Sequence, residues 1–155
     1  MKAADAFPET ALGDTLPPPS FLKRHAKSIA AIAALIVFGA VGTAGQRCTT
    51  TRRLFVHESI YADVLAKLVA GYKQVEKKIG DPTDPANLMG PLNSKEGVQA
   101  YVEAVKKAQA AGGKVETGGA AIDRPGNFVL PTIITGLKNS DEIVQHETFA
   151  PILYV

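Results

Sequence analysis

The chain has 155 residues, of which 46% are hydrophobic and 21% are charged, and its net charge is +2. This length suffices for one globular domain with its own core and excludes two large domains. The mild net charge gives no indication of a nucleic-acid partner, and a single cysteine, Cys48, excludes an internal disulfide. We therefore expect a protein of a reducing compartment, with the cytoplasm as its location.

The first 27 residues differ in pattern from the rest of the chain. Pro8 and the run Pro17-Pro18-Pro19 interrupt any helix, and no hydrophobic periodicity is visible. We expect residues 1–27 to be irregular and residues 28–36 to begin an apolar helix. Together they form a divergent N-terminal segment, 1–36.

An uncharged apolar run extends from Ser28 to Gln46. Its length is at the short edge of the roughly 20 residues that a bilayer span needs, and its alanines and glycines make it weakly hydrophobic. A secretory signal would carry its basic residues nearer the start of the chain. The run therefore predicts a buried helix of a soluble protein, and we do not expect a membrane partner.

Strand and helix patterns alternate from Arg53 onward. Leu54-Phe55-Val56 is typical of a short buried strand. Ser59 is predicted to cap a helix that ends before Gly80. The apolar positions of this helix form one stripe: Ile60, Val64, Leu65, Leu68, Val69, Tyr72 and Val75.

A second helix is predicted with Asn93 as its cap, Glu96 completing a capping box, and Gly112-Gly113 at its end. Lys114–Thr117 is typical of a strand. The alternation of strands and helices predicts a layered α/β domain.

A further extended segment is predicted on both sides of Pro131, at Phe128–Leu130 and Thr132–Ile134. Because proline has no backbone donor, this segment is predicted to be an edge strand or to carry a bulge.

Cys48 follows Gly42-Thr43-Ala44-Gly45-Gln46-Arg47 and precedes three threonines. An unpaired cysteine is most often a small buried hydrophobe, so its residue type alone favours a structural role. Its surroundings favour chemistry, because the glycines permit close backbone approach. Arg47, Arg52 and Arg53 supply positive potential that favours the nucleophilic thiolate. Cys48 is therefore the candidate nucleophile.

Four separated motifs carry a resemblance: Gly45-Gln46-Arg47-Cys48; Gly80-Asp81-Pro82 with Met89-Gly90-Pro91-Leu92; Pro131-Thr132-Ile133; and Glu147-Thr148-Phe149-Ala150-Pro151. In order and spacing they are similar to NAD-dependent aldehyde dehydrogenases, nearest to the α-aminoadipic semialdehyde dehydrogenase (antiquitin) branch. Residues 37–155 resemble part of that family's catalytic domain. The resemblance implies a layered α/β fold with a largely parallel sheet.

The resemblance also implies a chemistry and a set of residue roles. The Cys48 thiolate would attack an aldehyde carbon, NAD would accept hydride, and water would release a carboxylic acid from the thioester. Glu147 would accept hydrogen bonds from the nicotinamide ribose, and Phe149 would pack near the nicotinamide. By residue type alone they would be a surface acid and a core aromatic. Arg47 would bind the polar end of a semialdehyde, or else only tune the thiol or face solvent.

Several family elements are missing from this sequence. They are the general-base glutamate of a Glu-Leu-Gly-Gly motif, the Gly-rich cofactor-binding half and an oxyanion asparagine. Glu9 lies in a stretch with a passing likeness to the base motif, but its position is displaced and it receives no role. We expect this polypeptide alone to have no appreciable dehydrogenase turnover. The resemblance also implies that full-length members of the family are homo-oligomers.

Two alternatives belong to other classes. A cysteine hydrolase would pair Cys48 with His57 or His146 to cleave a thioester, and a non-catalytic remnant would bind a partner through an apolar face. A metal site is not expected, because His25, Cys48, His57 and His146 lack the usual ligand spacing.

Overall fold

A computed structural model of the chain describes residues 19–155. Its elements, in chain order, are α1 (Pro19–Val41), a 3-10 turn (Gly42–Gly45), α2 (Glu58–Glu76), α3 (Lys95–Ala110), β1 (Lys114–Thr117), β2 (Thr132–Thr135), α4 (Glu142–Gln145) and β3 (Ile152–Tyr154). The helices and the small sheet share one hydrophobic core. The α/β class predicted from the sequence is confirmed.

Helix α1 begins earlier than we expected. The prediction that residues 1–27 are irregular is wrong for residues 19–27, which are helical, and residues 1–18 lie outside the described residues. Proline suits the first turn of a helix, because its fixed φ is helical and its missing N–H would have no partner there. Pro19 therefore starts the helix that we expected it to exclude.

One face of α1 is buried, mainly against α2. The approach is close at Gly71, where an added Cβ would lie 2.9 Å from Cγ2 of Val37. The opposite face exposes Ile32, Leu35 and Phe38, so the prediction of a buried helix holds for one face only. Residues 27–45 are long and apolar enough to cross a membrane, and 33% of their most apolar window is buried. The core helix of a soluble protein can have the same length and apolar composition.

The sheet has the order β1-β2-β3, with β1 antiparallel to β2 and β2 parallel to β3. The segment after Cys48 extends this parallel side. Arg53 bridges Tyr154 in parallel, and the N–H of Leu54 donates to the Tyr154 carbonyl over 2.9 Å. The parallel pairing implied by the resemblance is therefore found on the side of the sheet that contains β2, β3 and Arg53. On the other side, β1 is an antiparallel edge strand.

Two strand predictions need correction. Residues 54–56 do not form a buried strand, because the pairing with β3 is limited to one bridge and Phe55 is 76% exposed. The segment after Pro131 is not an edge strand, because β2 lies in the middle of the sheet and all four of its residues are buried. The register of its pairing with β1 does shift, but the irregularity lies on β1, between Val115 and Thr117. Residues 128–130 form only an isolated bridge, from Val129 to Ala121. Pro131 immediately precedes the strand, so its missing donor does not interrupt the ladder.

Both predicted helices are present, but their N-cap residues differ from the predicted ones. Helix α2 buries Val64, Leu68, Tyr72 and Val75, all members of the predicted stripe. Its cap is His57 rather than Ser59, because Nδ1 of His57 accepts from the Ser59 N–H over 3.2 Å. Helix α3 is capped by Ser94 rather than Asn93, since its Oγ accepts from the Gly97 N–H over 3.1 Å.

Tyr101 connects α3 by hydrogen bonds to the residues at the start of β2. Its side chain is fully buried, its hydroxyl donates to the Leu130 carbonyl over 2.7 Å, and it lies 2.5 Å from Oγ1 of Thr132. Burial raises the pKa of Tyr101 to about 12. Removing this hydroxyl leaves buried partners with fewer hydrogen bonds.

We expect Tyr101→Phe to lower the free energy of unfolding by about 1–3 kcal/mol, measured by urea denaturation. Tyr72→Phe is the matched control, because the Tyr72 hydroxyl is equally buried but has no hydrogen-bond partner among the described residues. Its loss should be neutral or stabilising. Equal destabilisation by the two variants would contradict this account.

Candidate active site

The loop between α1 and Arg52, residues 42–51, is called the nucleophile loop here because it carries Cys48. After Gly42, three consecutive residues have a left-handed φ: Thr43 (φ 59°), Ala44 (φ 53°) and Gly45 (φ 73°). Such a conformation costs about 1–3 kcal/mol for each non-glycine residue and persists only where the surroundings enforce it. The nucleophile loop is therefore strained and needs restraint from the rest of the molecule.

Cys48 lies in the turn that follows. The Thr50 N–H donates to the Arg47 carbonyl over 3.1 Å, and the Arg47 N–H donates back to Oγ1 of Thr50 over 3.2 Å. The Cys48 side chain is exposed and forms no disulfide. Among the described residues, no acceptor takes the backbone N–H of Cys48, so the thiol and this amide are both available to a ligand.

Gln46 ties the nucleophile loop to the Met89–Leu92 motif. Its Nε2 donates to the Pro91 carbonyl over 3.2 Å, and its Oε1 accepts from the Asn93 N–H over 2.9 Å. In the sequence, Gln46 is recognisable only as part of a motif. Its structural role could not be found locally, since its partners lie about 45 positions further along the chain.

Gly45 brings the nucleophile loop against the segment Glu147–Pro151. A Cβ placed on Gly45 would lie 2.6 Å from the nitrogen of Pro151 and closer still to the carbonyl group of Ala150. Only a residue without a side chain permits this approach. Two of the motifs that carry the resemblance are therefore in direct backbone contact.

Arg52 connects the same two segments through its guanidinium. Its Nη2 lies 3.1 Å from Oε1 of Glu147, and Nη2 also donates to the carbonyls of Gly45 and Arg47 over 3.1 and 3.2 Å. The guanidinium carbon lies 5.3 Å from the centre of the Phe149 ring. From the sequence alone, Arg52 was recognisable only as a source of positive potential, and these contacts were not predicted.

Glu147 and Phe149 both remain accessible. The Glu147 side chain is 59% exposed, and Phe149 is 44% exposed with a left-handed φ of 55°. Glu147 and Arg52 line a cleft of about 610 Å³. Tyr154 also lines this cleft, and burial raises its pKa to about 12, so its hydroxyl stays protonated at neutral pH.

Arg47 and His57 both make local contacts in the structure. The backbone of Arg47 holds the Cys48 turn while its side chain is exposed. His57 caps α2, and its Nδ1 lies 2.8 Å from Oγ of Ser59. Within residues 19–155, no hydrogen bond joins Cys48 to His57 or His146, and no group of three potential ligands could hold a metal ion.

Comparisons with known proteins identify the family of this chain. The aldehyde dehydrogenase family model matches residues 22–155. This chain belongs to the aldehyde dehydrogenase family. The match begins within α1, whereas the sequence motifs led us to start the family region at residue 37; α1 packs on α2 and is part of the same domain.

Two curated relatives of the aldehyde dehydrogenase family are similar over 77% of the chain. A putative aldehyde dehydrogenase family 7 member A1 homolog from Caenorhabditis elegans is 56% identical over 119 residues, and alpha-aminoadipic semialdehyde dehydrogenase from Mus musculus is 54% identical over 120 residues. The matched region is 22% of the length of each relative. The chain thus spans less than a quarter of these proteins.

Solved aldehyde dehydrogenases share the fold. Betaine aldehyde dehydrogenase from Staphylococcus aureus, in complex with NAD+, matches with a TM-score of 0.77 and 30% identity over 81% of this chain and 25% of its own. An NAD-dependent aldehyde dehydrogenase from Sinorhizobium meliloti matches with a TM-score of 0.77 and 27% identity over 81% of this chain and 25% of its own.

Proposed function

We propose that this chain is the nucleophile-bearing part of an NAD-dependent aldehyde dehydrogenase that oxidises a semialdehyde, such as α-aminoadipic semialdehyde, to a carboxylic acid. The observation that carries the proposal is the junction at Arg52, which holds the loop of Cys48 beside Glu147 and Phe149. The similarity to the mouse semialdehyde dehydrogenase supports the substrate class. The unpaired, exposed thiol supports a cytoplasmic location.

Cys48 performs the covalent step. Its Sγ attacks the carbonyl carbon, a C–S bond forms, and the carbonyl π electrons move onto oxygen. The backbone N–H of Cys48 donates to this oxyanion, a kind of contact worth about 3 kcal/mol in the transition state. Loss of hydride from this adduct, for which bound NAD would be the acceptor, would leave a thioester, and water would cleave it to release the carboxylic acid and return the thiol.

Glu147 and Phe149 fit one end of the cofactor. The exposed carboxylate of Glu147 can accept hydrogen bonds from two vicinal hydroxyls of a ribose, and the exposed ring of Phe149 offers an apolar contact for the nicotinamide. NAD, when bound, supplies the hydride acceptor. Arg47 provides an exposed guanidinium next to Cys48 that can pair with the carboxylate of an amino-acid semialdehyde.

An ester assay tests the nucleophile without requiring the cofactor. We expect 4-nitrophenyl acetate to give one burst of nitrophenolate for each folded chain, with the acetyl group found on Cys48 by peptide mass spectrometry. Steady turnover should be slow, because general-base catalysis usually contributes about a hundredfold to ten-thousandfold. We expect no NADH from a semialdehyde and NAD, because the Gly-rich half that would bind the cofactor pyrophosphate is missing from this sequence.

Three outcomes would contradict parts of this proposal. A folded chain whose Cys48 stays unmodified would overturn the assignment of the nucleophile. Rapid NADH production would refute the expected lack of turnover while supporting the dehydrogenase activity. Turnover that disappears in His57→Ala or His146→Ala would instead favour the Cys–His hydrolase.

A further inference from the structure

We propose that Arg52 is a positioning residue for the reaction of Cys48: its guanidinium holds the nucleophile loop and the Glu147–Phe149 segment in their reactive geometry. The inference rests on the proposed function. Arg52 does not react and acts only through the groups it contacts. It lies four positions after Cys48 and outside the motifs that carried the resemblance.

The strained backbone positions of the chain lie in two segments that Arg52 joins. Among residues 19–155, the non-glycine residues with left-handed φ are Thr43, Ala44 and Phe149. The first two belong to the nucleophile loop and the third to the Glu147–Pro151 segment. Strained residues of this kind cluster at active sites and persist only where neighbouring contacts hold them.

Arg52 contacts both strained segments. Its Nη2 donates to the carbonyl of Gly45, which directly follows Ala44, and its guanidinium carbon lies 5.3 Å from the centre of the Phe149 ring. A cation near an aromatic face is attracted by the ring quadrupole. One side chain therefore restrains strained positions that are roughly a hundred residues apart in the sequence.

Four acceptors from the described residues surround the guanidinium of Arg52. Nη1 donates to the Thr50 carbonyl over 3.2 Å, while Nη2 serves Gly45, Arg47 and the Glu147 carboxylate. The carbonyls of Arg47 and Thr50 belong to the two ends of the Cys48 turn. Arg52 therefore contacts the turn of the nucleophile on both sides.

A lysine could not replace these contacts. The guanidinium is a planar fork with five donors, whereas an ammonium is a point charge on a flexible stem. The Arg52 side chain is only 17% exposed, and its buried Nε has no hydrogen-bond partner among the described residues. Its burial is offset by the acceptors at the far end of the guanidinium.

Arg124 offers a matched control elsewhere in the chain. Its guanidinium also donates to a backbone carbonyl, that of Ile79, over 3.0 Å, and lies 3.7 Å from the centre of the Phe128 ring. It therefore makes the same two kinds of contact without touching the nucleophile loop. Arg124→Ala therefore removes both kinds of contact away from the nucleophile loop, although Arg124 is exposed and the Arg52 side chain is largely buried.

The test measures acylation of Cys48 by 4-nitrophenyl acetate in the 155-residue chain at several ester concentrations. We expect Arg52→Ala to lower the maximal acylation rate about a hundredfold, because misplaced reacting groups lose rate on that scale. The half-saturating ester concentration should change little, since Arg52 does not touch the ester. Arg124→Ala should acylate at the wild-type rate.

Two further measurements separate positioning from stability alone. Millimolar methylguanidinium should restore part of the rate of Arg52→Ala, and Arg52→Lys should remain slow although its charge is kept. If Arg52→Ala does not fold, the acylation rate of folded Arg52→Lys decides the question. The wild-type rate in Arg52→Lys overturns the proposal, and a slow rate supports it. A folded Arg52→Ala with the wild-type rate also overturns it. Absence of acylation in the wild type would instead refute the proposed nucleophile.

Discussion

Cys48→Ser is expected to lower the rate of acylation by 4-nitrophenyl acetate at least about a thousandfold. Serine keeps the size and the hydrogen-bonding groups of the side chain, but its hydroxyl is a weak nucleophile without an adjacent base. No histidine is hydrogen-bonded to position 48 among the described residues, so the hydroxyl would gain no such base. The measurement is the burst of nitrophenolate, with the acetylated peptide identified by mass spectrometry.

Protein stability provides the internal control for this substitution. Because Cys48 is exposed, the free energy of unfolding should change by less than about 0.5 kcal/mol. The loss of acylation can then be assigned to the thiol itself. Retention of the wild-type burst, with the acetyl group on another residue, would contradict the mechanism.

Gly45→Ala should be the most disruptive single-methyl substitution in the nucleophile loop. The new Cβ would lie 2.6 Å from the Pro151 nitrogen and closer to the Ala150 carbonyl group, and a φ of +73° disfavours any side chain. These neighbours are backbone atoms and cannot rotate away. We expect a loss of about 3 kcal/mol or more in the free energy of unfolding, measured by urea denaturation.

Gly42→Ala is the control for Gly45→Ala. Gly42 belongs to the same turn, yet a Cβ there would meet nothing within 4 Å, so the expected change is below about 1 kcal/mol. The acylation rate should also fall more in Gly45→Ala than in Gly42→Ala, since Gly45 places the nucleophile loop against the Glu147–Pro151 segment. Equal stability of the two variants would show that the close contact is not required.

The local parts of the fold could be predicted from the sequence. The apolar stripe of α2 and the strand Lys114–Thr117 were predicted correctly because both depend on patterns within a few residues. The caps were misplaced by one or two residues, since neighbouring polar side chains compete for the same N–H groups. The three residues of β3 were missed because their parallel partners, β2 and Arg53, lie elsewhere in the chain.

The candidate site could be predicted only in part. Cys48 was recognisable from its neighbours, whereas Glu147 and Phe149 depended on the family resemblance. The sequence alone does not distinguish the roles of the three arginines Arg47, Arg52 and Arg53. The folded chain distinguishes them, because Arg52 alone of the three contacts Glu147 and Phe149 among the described residues.

The contact of Gly45 with Ala150 and Pro151 has a consequence for biosynthesis. These segments are roughly a hundred residues apart, so their contact forms late, after a large loop has closed. At about 5–20 residues per second, translation delivers Pro151 some seconds after Cys48. During that interval the thiol belongs to a nascent chain with no assembled site around it, so the reactivity that we propose for Cys48 requires synthesis to have passed residue 151.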